Sequence, residues 1–462
     1  MKNRPILGLA LAAGLTLSGC ATYRAAPLDA RAAQSAWLAR APTDEGLMAF
    51  ARRLSAHQSG PATAAAFDPS DGLTLAEAEV IAMFYNPALR VARLRAGVAA
   101  ADASHAGRWQ DPVLGFSGER ILESVDDPWV VGGTLEVTIP LSGRLGAERA
   151  RAAAAHTAEL ARVAEQEWAT RSQLRRTWLE WSAAVERAGV LERALSRVEQ
   201  AGEIVAKLEE AGELGRLDGR AFRMEAVSRR AALSEAAARA ADLELSLRSL
   251  MGLSPAAPLT LTPTLVQLWR GPDSVGDSSE FERSPALAVL AAEYETAEHA
   301  LRREVRAQYP DLTIGPGASS DEGQARALLG LSMPIPLWNR NQGGVARALA
   351  ERELARAAFE AKIEELGIEL AQVRAAYDAA RSRRELLERE LIPLADEQEQ
   401  DARRVAELGG VSTLLLLDTL ERETAAREQL IAARLDESLS AVRAAAMLGP
   451  PPSPAPPAGD QP

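Results

Sequence analysis

Four short landmarks occur twice in this chain, in one order. Asn-Pro-Ala-Leu (86–89), Trp-Gln-Asp-Pro-Val-Leu-Gly (109–115), Ile-Pro-Leu (139–141) and Gly-Glu-Leu-Gly (212–215) come first. Ser-Pro-Ala-Leu (284–287), Tyr-Pro-Asp-Leu-Thr-Ile-Gly (309–315), Ile-Pro-Leu (335–337) and Ala-Glu-Leu-Gly (406–409) answer them. Each landmark lies about 200 residues from its echo. A period of that size means two copies of one unit, so whatever the first half folds into, the second half repeats.

Most of each copy reads as helix. No proline occurs between Leu141 and Ser254, between Leu337 and Ile392, or between Leu394 and Gly449, and these runs are rich in Ala, Glu, Arg and Leu. A helix over residues 144–208 would be about 100 Å long, too long for the wall of an ordinary globular domain. Leu174, Trp178, Trp181, Val185, Ala188, Leu191, Leu195 and Val198 step mostly by three and four. So do Ile363, Leu366, Leu370, Val373, Tyr377 and Ala380. That spacing is the seam of a coiled coil. Glycines at Gly212 and Gly215, and at Gly409 and Gly410, break each helical stretch into two antiparallel helices.

A smaller part reads as strand. Leu135, Val137 and Ile139 alternate with Thr134, Glu136 and Thr138, and Leu114 and Phe116 alternate with Gly115 and Ser117. In the second copy Ala327, Leu329, Leu331, Met333 and Ile335 interleave with Arg326, Leu328, Gly330 and Ser332. Turn-rich stretches at 123–128 and 319–323 separate the strands, so two copies bring four strands. A four-stranded sheet has two open edges, and lipid offers those edges no hydrogen-bond partner. A membrane barrel needs at least eight strands, so several chains must share one. Two chains would bring eight strands and three would bring twelve; patterning alone does not choose. The fold class is mainly α with a small β part: long antiparallel coiled-coil helices forming an α-barrel, plus four strands per chain for a shared barrel.

Lys2 and Arg4 precede an apolar run over 6–17 that is too short to span a bilayer and has the form of a secretory signal. It ends in Leu-Ser-Gly-Cys (17–20), which resembles a bacterial lipobox; the resemblance implies cleavage before Cys20 and lipid attachment to it. Cys20 is the only cysteine, so no intrachain disulfide forms. Ala21 after Cys20 implies, by the same resemblance, the outer membrane. The chain thus divides into a signal peptide (1–19), a lipid-anchored, extended lead-in (20–72), a first helix–strand–strand–helix repeat (73–270), a second (271–449) and a Pro-rich tail (450–462). The net charge is −12, which argues against nucleic acid as a partner. Each strand pair returns the chain to the side it left, so all the long helices lie on one side of the membrane.

These residues resemble the TolC-like outer-membrane efflux factors. The matching pieces are Leu-Thr-Leu-Ala-Glu-Ala (73–78), Asn-Pro-Ala-Leu (86–89), Asp-Pro (111–112), the run Leu-Ser-Met-Pro-Ile-Pro-Leu-Trp-Asn-Arg-Asn-Gln-Gly (331–343), and the glycine turn followed by Leu417 and Asp418. The resemblance implies a lipoprotein homotrimer with a twelve-stranded barrel in the outer membrane and a helical tunnel in the periplasm. It implies a periplasmic adaptor (membrane fusion protein) docked at the hairpin tips Gly212, Gly215, Gly409 and Gly410, and an inner-membrane pump that supplies the energy. The segment 336–342 looks most like the branch serving metal-exporting pumps of the resistance-nodulation-division class. Relatives narrow the periplasmic entrance with two acidic residues; here Asp418 matches the second and Leu415 replaces the first, so any constriction is partly apolar.

The residues offer no cofactor motif, no nucleophile elbow and no phosphate loop, so the chain reads as a non-enzyme. His57, His105, His156 and His299 are dispersed, and Glu295 with His299 is too small a set for a metal site. Trp109, Trp129 and Trp338 fall near strand ends, as interfacial anchors or as ordinary packing. The competing reading is a periplasmic coiled-coil scaffold or adaptor lipoprotein without a pore.

Overall fold

The computed structural model describes residues 22–57, 67–122, 129–265, 278–321, 324–407 and 413–450. Cys20, Gly409, Gly410, the leader and the tail from 451 lie outside them. The elements are α1 (Ala30–Leu38), α2 (Glu45–His57), α3 (Leu75–Tyr85), α4 (Pro87–His105), β1 (Val113–Arg120), β2 (Trp129–Ile139), α5 (Arg144–Glu210), α6 (Arg216–Leu250), a 3-10 turn (Ser278–Arg283), α7 (Pro285–Arg306), β3 (Leu312–Asp321), β4 (Gln324–Ser332), α8 (Gln342–Leu386), a π turn (Leu387–Leu391), α9 (Ile392–Glu407) and α10 (Thr413–Leu448).

The order α4-β1-β2-α5-α6 recurs as α7-β3-β4-α8-α9-α10. α5 runs 67 residues, about 100 Å. Its counterpart is interrupted after α8 because Pro393 has no N–H to give and its ring crowds the carbonyl four residues back. A single π turn absorbs the mismatch: the Ile392 N–H donates to the Leu387 carbonyl, five residues back.

The repeated Asn-Pro and Ser-Pro landmarks start α4 and α7, with proline at the first helical position. The Asn86 carboxamide accepts from the Ala88 and Leu89 N–H groups and donates to the Leu250 carbonyl at 2.8 Å. It therefore caps α4 and ties it to the end of α6. A second matched pair escaped the sequence reading. Gly252 (φ +70°) and Gly449 (φ +83°) follow α6 and α10 in the left-handed region. Each lies directly against the backbone carbonyl that precedes the landmark, Tyr85 in one copy and Arg283 in the other.

Three expectations differ from what is observed. The stretch 319–323 is not all turn: Ser319, Ser320 and Asp321 still pair with Arg326, Ala325 and Gln324, because a tight hairpin lets the ladder run to its end. The lead-in is not extended throughout: Asp29 accepts from the Arg31 and Ala32 N–H groups to start α1, and α2 follows. Leu47 of α2 is fully buried in the main core with Leu73, Ile81, Leu174, Trp178 and Leu247, which holds this segment to the helices. Strand β4 ends at Ser332, short of Met333 and Ile335. Pro334 and Pro336 cannot donate to a ladder, so pairing stops there.

The core lies where α2, α3, α5 and α6 meet, and Trp178 and Trp181 pack edge to face with centroids 5.4 Å apart. A second cluster, Leu287, Leu366, Leu370, Val373 and Met447, joins α7, α8 and α10 in the other copy.

Candidate functional site: a two-faced sheet and the helix tips

The four strands form one antiparallel sheet in the order β1-β2-β3-β4. Residues directly opposite one another in antiparallel strands point to the same face. The register pairs Leu114 with Leu135, Phe116 with Gly133, Gly118 with Val131, Val137 with Ile314, Ile139 with Leu312, Ile314 with Leu331, and Pro316 with Leu329. That face is apolar across all four strands. The alternate face pairs Ser117 with Gly132, Thr134 with Gly317, Thr138 with Thr313, Gly315 with Gly330, Ser319 with Arg326 and Asp321 with Gln324. It is polar or small apart from Val113, Val130 and Leu328. The Thr138 and Thr313 hydroxyls lie 3.1 Å apart on it.

Nothing among the described residues covers the apolar face. Phe116 is 80% exposed and Leu329 70%, values that no soluble core would leave. β2 has 11 residues, about 35 Å of strand; tilted by about 40°, as barrel strands are, it rises about 26 Å, the height of a lipid-facing band.

The two faces differ in crowding at their glycines. A Cβ on Gly115 would lie 2.7 Å from Thr134 Oγ1, and on Gly317 2.7 Å from the Gly133 carbonyl oxygen. Both glycines are on the polar face. On the apolar face a Cβ at Gly118 meets open space, and at Gly133 the nearest atoms are 3.8 Å away. The close approach of the strands on the polar face is therefore one that glycine allows.

β1 and β4 end the sheet and leave one row of backbone groups unpaired on each side. Both hairpins leave the helices and return to them at one end: Ile139 pairs with Leu312, and Thr313 with Ser332. Trp109 and Trp338 stand exposed near that end and Trp129 at the other, so none of the three is buried packing.

At the far end of the helices, Gly212 is left-handed (φ +77°) and turns α5 into α6, with the Glu213 N–H donating to the Leu208 carbonyl at 2.9 Å. Gly215 precedes α6 with ordinary φ (−80°), so its position needs no glycine on backbone grounds. Leu214 packs with Val205, Phe222 and Leu420. The Thr413 hydroxyl donates to the Asp218 carboxylate, which joins the start of α6 to the start of α10. The two hairpin ends therefore meet. Leu415 and Asp418 lie one turn apart on α10, Leu415 exposed and Asp418 half-buried, and Asp418 pairs with Arg422 at 2.9 Å. Asp418 stands beyond the first turn of α10, so it is not a cap, and its charge has a partner one turn on.

Above the tips, buried Glu423 of α10 accepts from Arg197 of α5 and from Arg427, whose guanidinium also reaches Asp396 of α9 at 2.8 Å. Burial pushes the Glu423 carboxyl up, but hydrogen bonds from Arg197 and Arg427 outweigh it and hold the group below its ordinary value. A carboxyl depressed in this way stabilises the fold above its unfolded value, about pH 4.3, and that contribution disappears as pH falls through the lower folded value. Glu423→Gln is therefore expected to destabilise the helices by roughly 1–3 kcal/mol at pH 7 and to approach the wild type as pH falls through the lowered folded value. Thermal unfolding followed by helical circular dichroism across that range checks it; a pH-independent gap would contradict it.

Among the described residues no group of three or more His, Cys, Asp or Glu side chains is placed to hold a metal, and no helix is long and apolar enough to cross a membrane.

A sheet with a bare apolar face and a polar one, set at the end of very long paired helices, is the build of the TolC-like outer-membrane efflux channels. The family described as Outer membrane efflux protein matches residues 82–253 and 278–450, most of the chain, and this protein belongs to it. The fold matches the transmembrane channel CusC, with a TM-score of 0.69 at 18% identity over 81% of this chain and 92% of that one. It also matches a membrane protein from Pseudomonas aeruginosa, with a TM-score of 0.71 at 20% identity over 81% and 92%. In sequence, 141 residues, 30% of the chain, are 29% identical to the cobalt-zinc-cadmium resistance protein CzcC of Cupriavidus metallidurans. That match spans 34%, about a third, of the relative's length.

Proposed function

We propose that three copies of this chain close a twelve-stranded barrel in the outer membrane and conduct passively what an inner-membrane pump and a periplasmic adaptor deliver. The observation that carries this is the register. It gives one chain a lipid-compatible face, a water-compatible face and two unpaired edges, so β1 of one copy pairs with β4 of the next. A pore-free scaffold has no use for an uncovered apolar face. Leu415 and Asp418 narrow the entrance in this reading, and the Gly212–Gly215 and Gly409–Gly410 tips meet the adaptor.

Lipid attachment at Cys20 fits the geometry. The Arg40 guanidinium donates to the Gly252 carbonyl at 2.7 Å, at the level where α4 begins. α4, at 19 residues, places that level about 28 Å below the strands. The described chain from residue 22 to 39, with α1 helical and the rest counted as extended, reaches about 44 Å, enough to climb to the inner leaflet. The likeness to CzcC makes divalent transition metals the cargo class to test first.

The purified protein is expected to have the mass of a trimer in detergent and to open ion-conducting pores in planar bilayers. A gene deletion is expected to sensitise cells to cobalt, zinc and cadmium more than to organic drugs. A non-conducting monomer would overturn the channel; drug sensitivity alone would overturn the cargo class.

A further inference from the structure

Arg120 is the single charged side chain on the apolar face of the sheet among the described residues. Its register partner is Trp129, and its guanidinium carbon lies 5.8 Å from that ring's centroid. The pair sits at the end of the sheet away from the long helices. Among the described residues no carboxylate pairs with Arg120. Asp321, at the same end, belongs to the other face and is held by Arg326 at 2.6 Å. If β4 of a neighbouring copy lies beside β1, its apolar-face residues are Ala325, Ala327, Leu329 and Leu331, none of them an acid.

An arginine on a lipid-facing strand is costly at mid-depth but nearly free at the rim, where it reaches polar headgroups. A tryptophan beneath it supplies a flat face for the guanidinium and itself favours the interface. We propose that Arg120 and Trp129 form a binding site for the phosphate of an outer-leaflet lipid headgroup, one site per chain. This rests on the reading that the sheet spans the outer membrane. An arginine that no described carboxylate pairs with has hydrogen-bond donors to offer a bidentate phosphate contact.

The assembled protein is floated with phosphatidylethanolamine vesicles. It is then titrated in detergent with bisphosphorylated lipid A, dephosphorylated lipid A and inorganic phosphate, with lipid retention read by native mass spectrometry. The wild type is expected to insert and to prefer the bisphosphorylated lipid about fivefold; Arg120→Gln inserts and loses that preference, and Arg120→Lys, which keeps the charge but not the bidentate fork, retains only part of it. Insertion with an unchanged preference in Arg120→Gln overturns the site alone. Displacement of the lipid by inorganic phosphate at equal concentration overturns the lipid as the ligand. Failure of the wild type to float overturns the spanning reading and the site with it.

Discussion

Leu329→Arg is expected to prevent assembly in the outer membrane, while Leu328→Arg, one residue away, is tolerated. The two positions are adjacent in mid-β4 and point to opposite faces. Leu329 opposes Pro316 on the apolar face; Leu328 opposes Gly317 on the polar one. A charge at mid-depth on a lipid face costs about 2–4 kcal/mol per chain, and a closed trimer carries it three times. That is comparable to the whole stability of a typical fold. An arginine at 328 would project into water beside a glycine and shift the pore's selectivity toward anions. Protein content of the outer-membrane fraction, together with bilayer conductance of whatever is recovered, tests both. Equal recovery of the two variants would mean that the faces have been assigned wrongly.

The second large effect is expected at two glycines far from the membrane. An alanine at Gly252 would put its Cβ 2.4 Å from the Tyr85 carbonyl oxygen, and at Gly449 2.1 Å from that of Arg283. Both glycines also hold left-handed φ values that a side chain disfavours. Neither obstacle is the movable end of a side chain: each is backbone at the start of α4 or α7. Gly252→Ala and Gly449→Ala are each expected to lose about 3 kcal/mol. Gly97→Ala supplies the opposite sign. It sits inside α4 with open space where its Cβ would be, so the better helix former gains up to about 1 kcal/mol. Denaturant titration of the helical signal orders the three, and a neutral Gly252→Ala would refute the close packing of the two copies' matching turns.

Much of this was legible because it is local. Steps of three and four mark α5 and α8, and the glycine at 212 marks the turn that its left-handed φ makes necessary. Alternation marks the strands, although prolines 334 and 336 stop β4 earlier than alternation alone implies. The lead-in was misread because its helices depend on a buried contact, Leu47 in the main core, and not on a long amphipathic run. The candidate entrance residues Leu415 and Asp418 could be named from the glycine turn before them. The partner of Asp418, Arg422, is also local and could have been found by looking one turn on. The Gly252 and Gly449 pair carried a signal, a glycine just past a helix end in each copy, that the landmark comparison passed over.

The sequence by itself determined that the chain is a repeat, that its helices are too long for a globule, and that it has four strands with two chemically different faces. These follow from hydrogen bonds and side-chain spacings over a few residues, which the order of residues states directly. Only the tertiary structure decided that β2 lies beside β3, which residues oppose one another across the sheet, and that Asp218 at the start of α6 meets Thr413 at the start of α10. Those contacts join residues far apart in the chain, and their register is chosen by how whole faces pack, which no local spacing encodes.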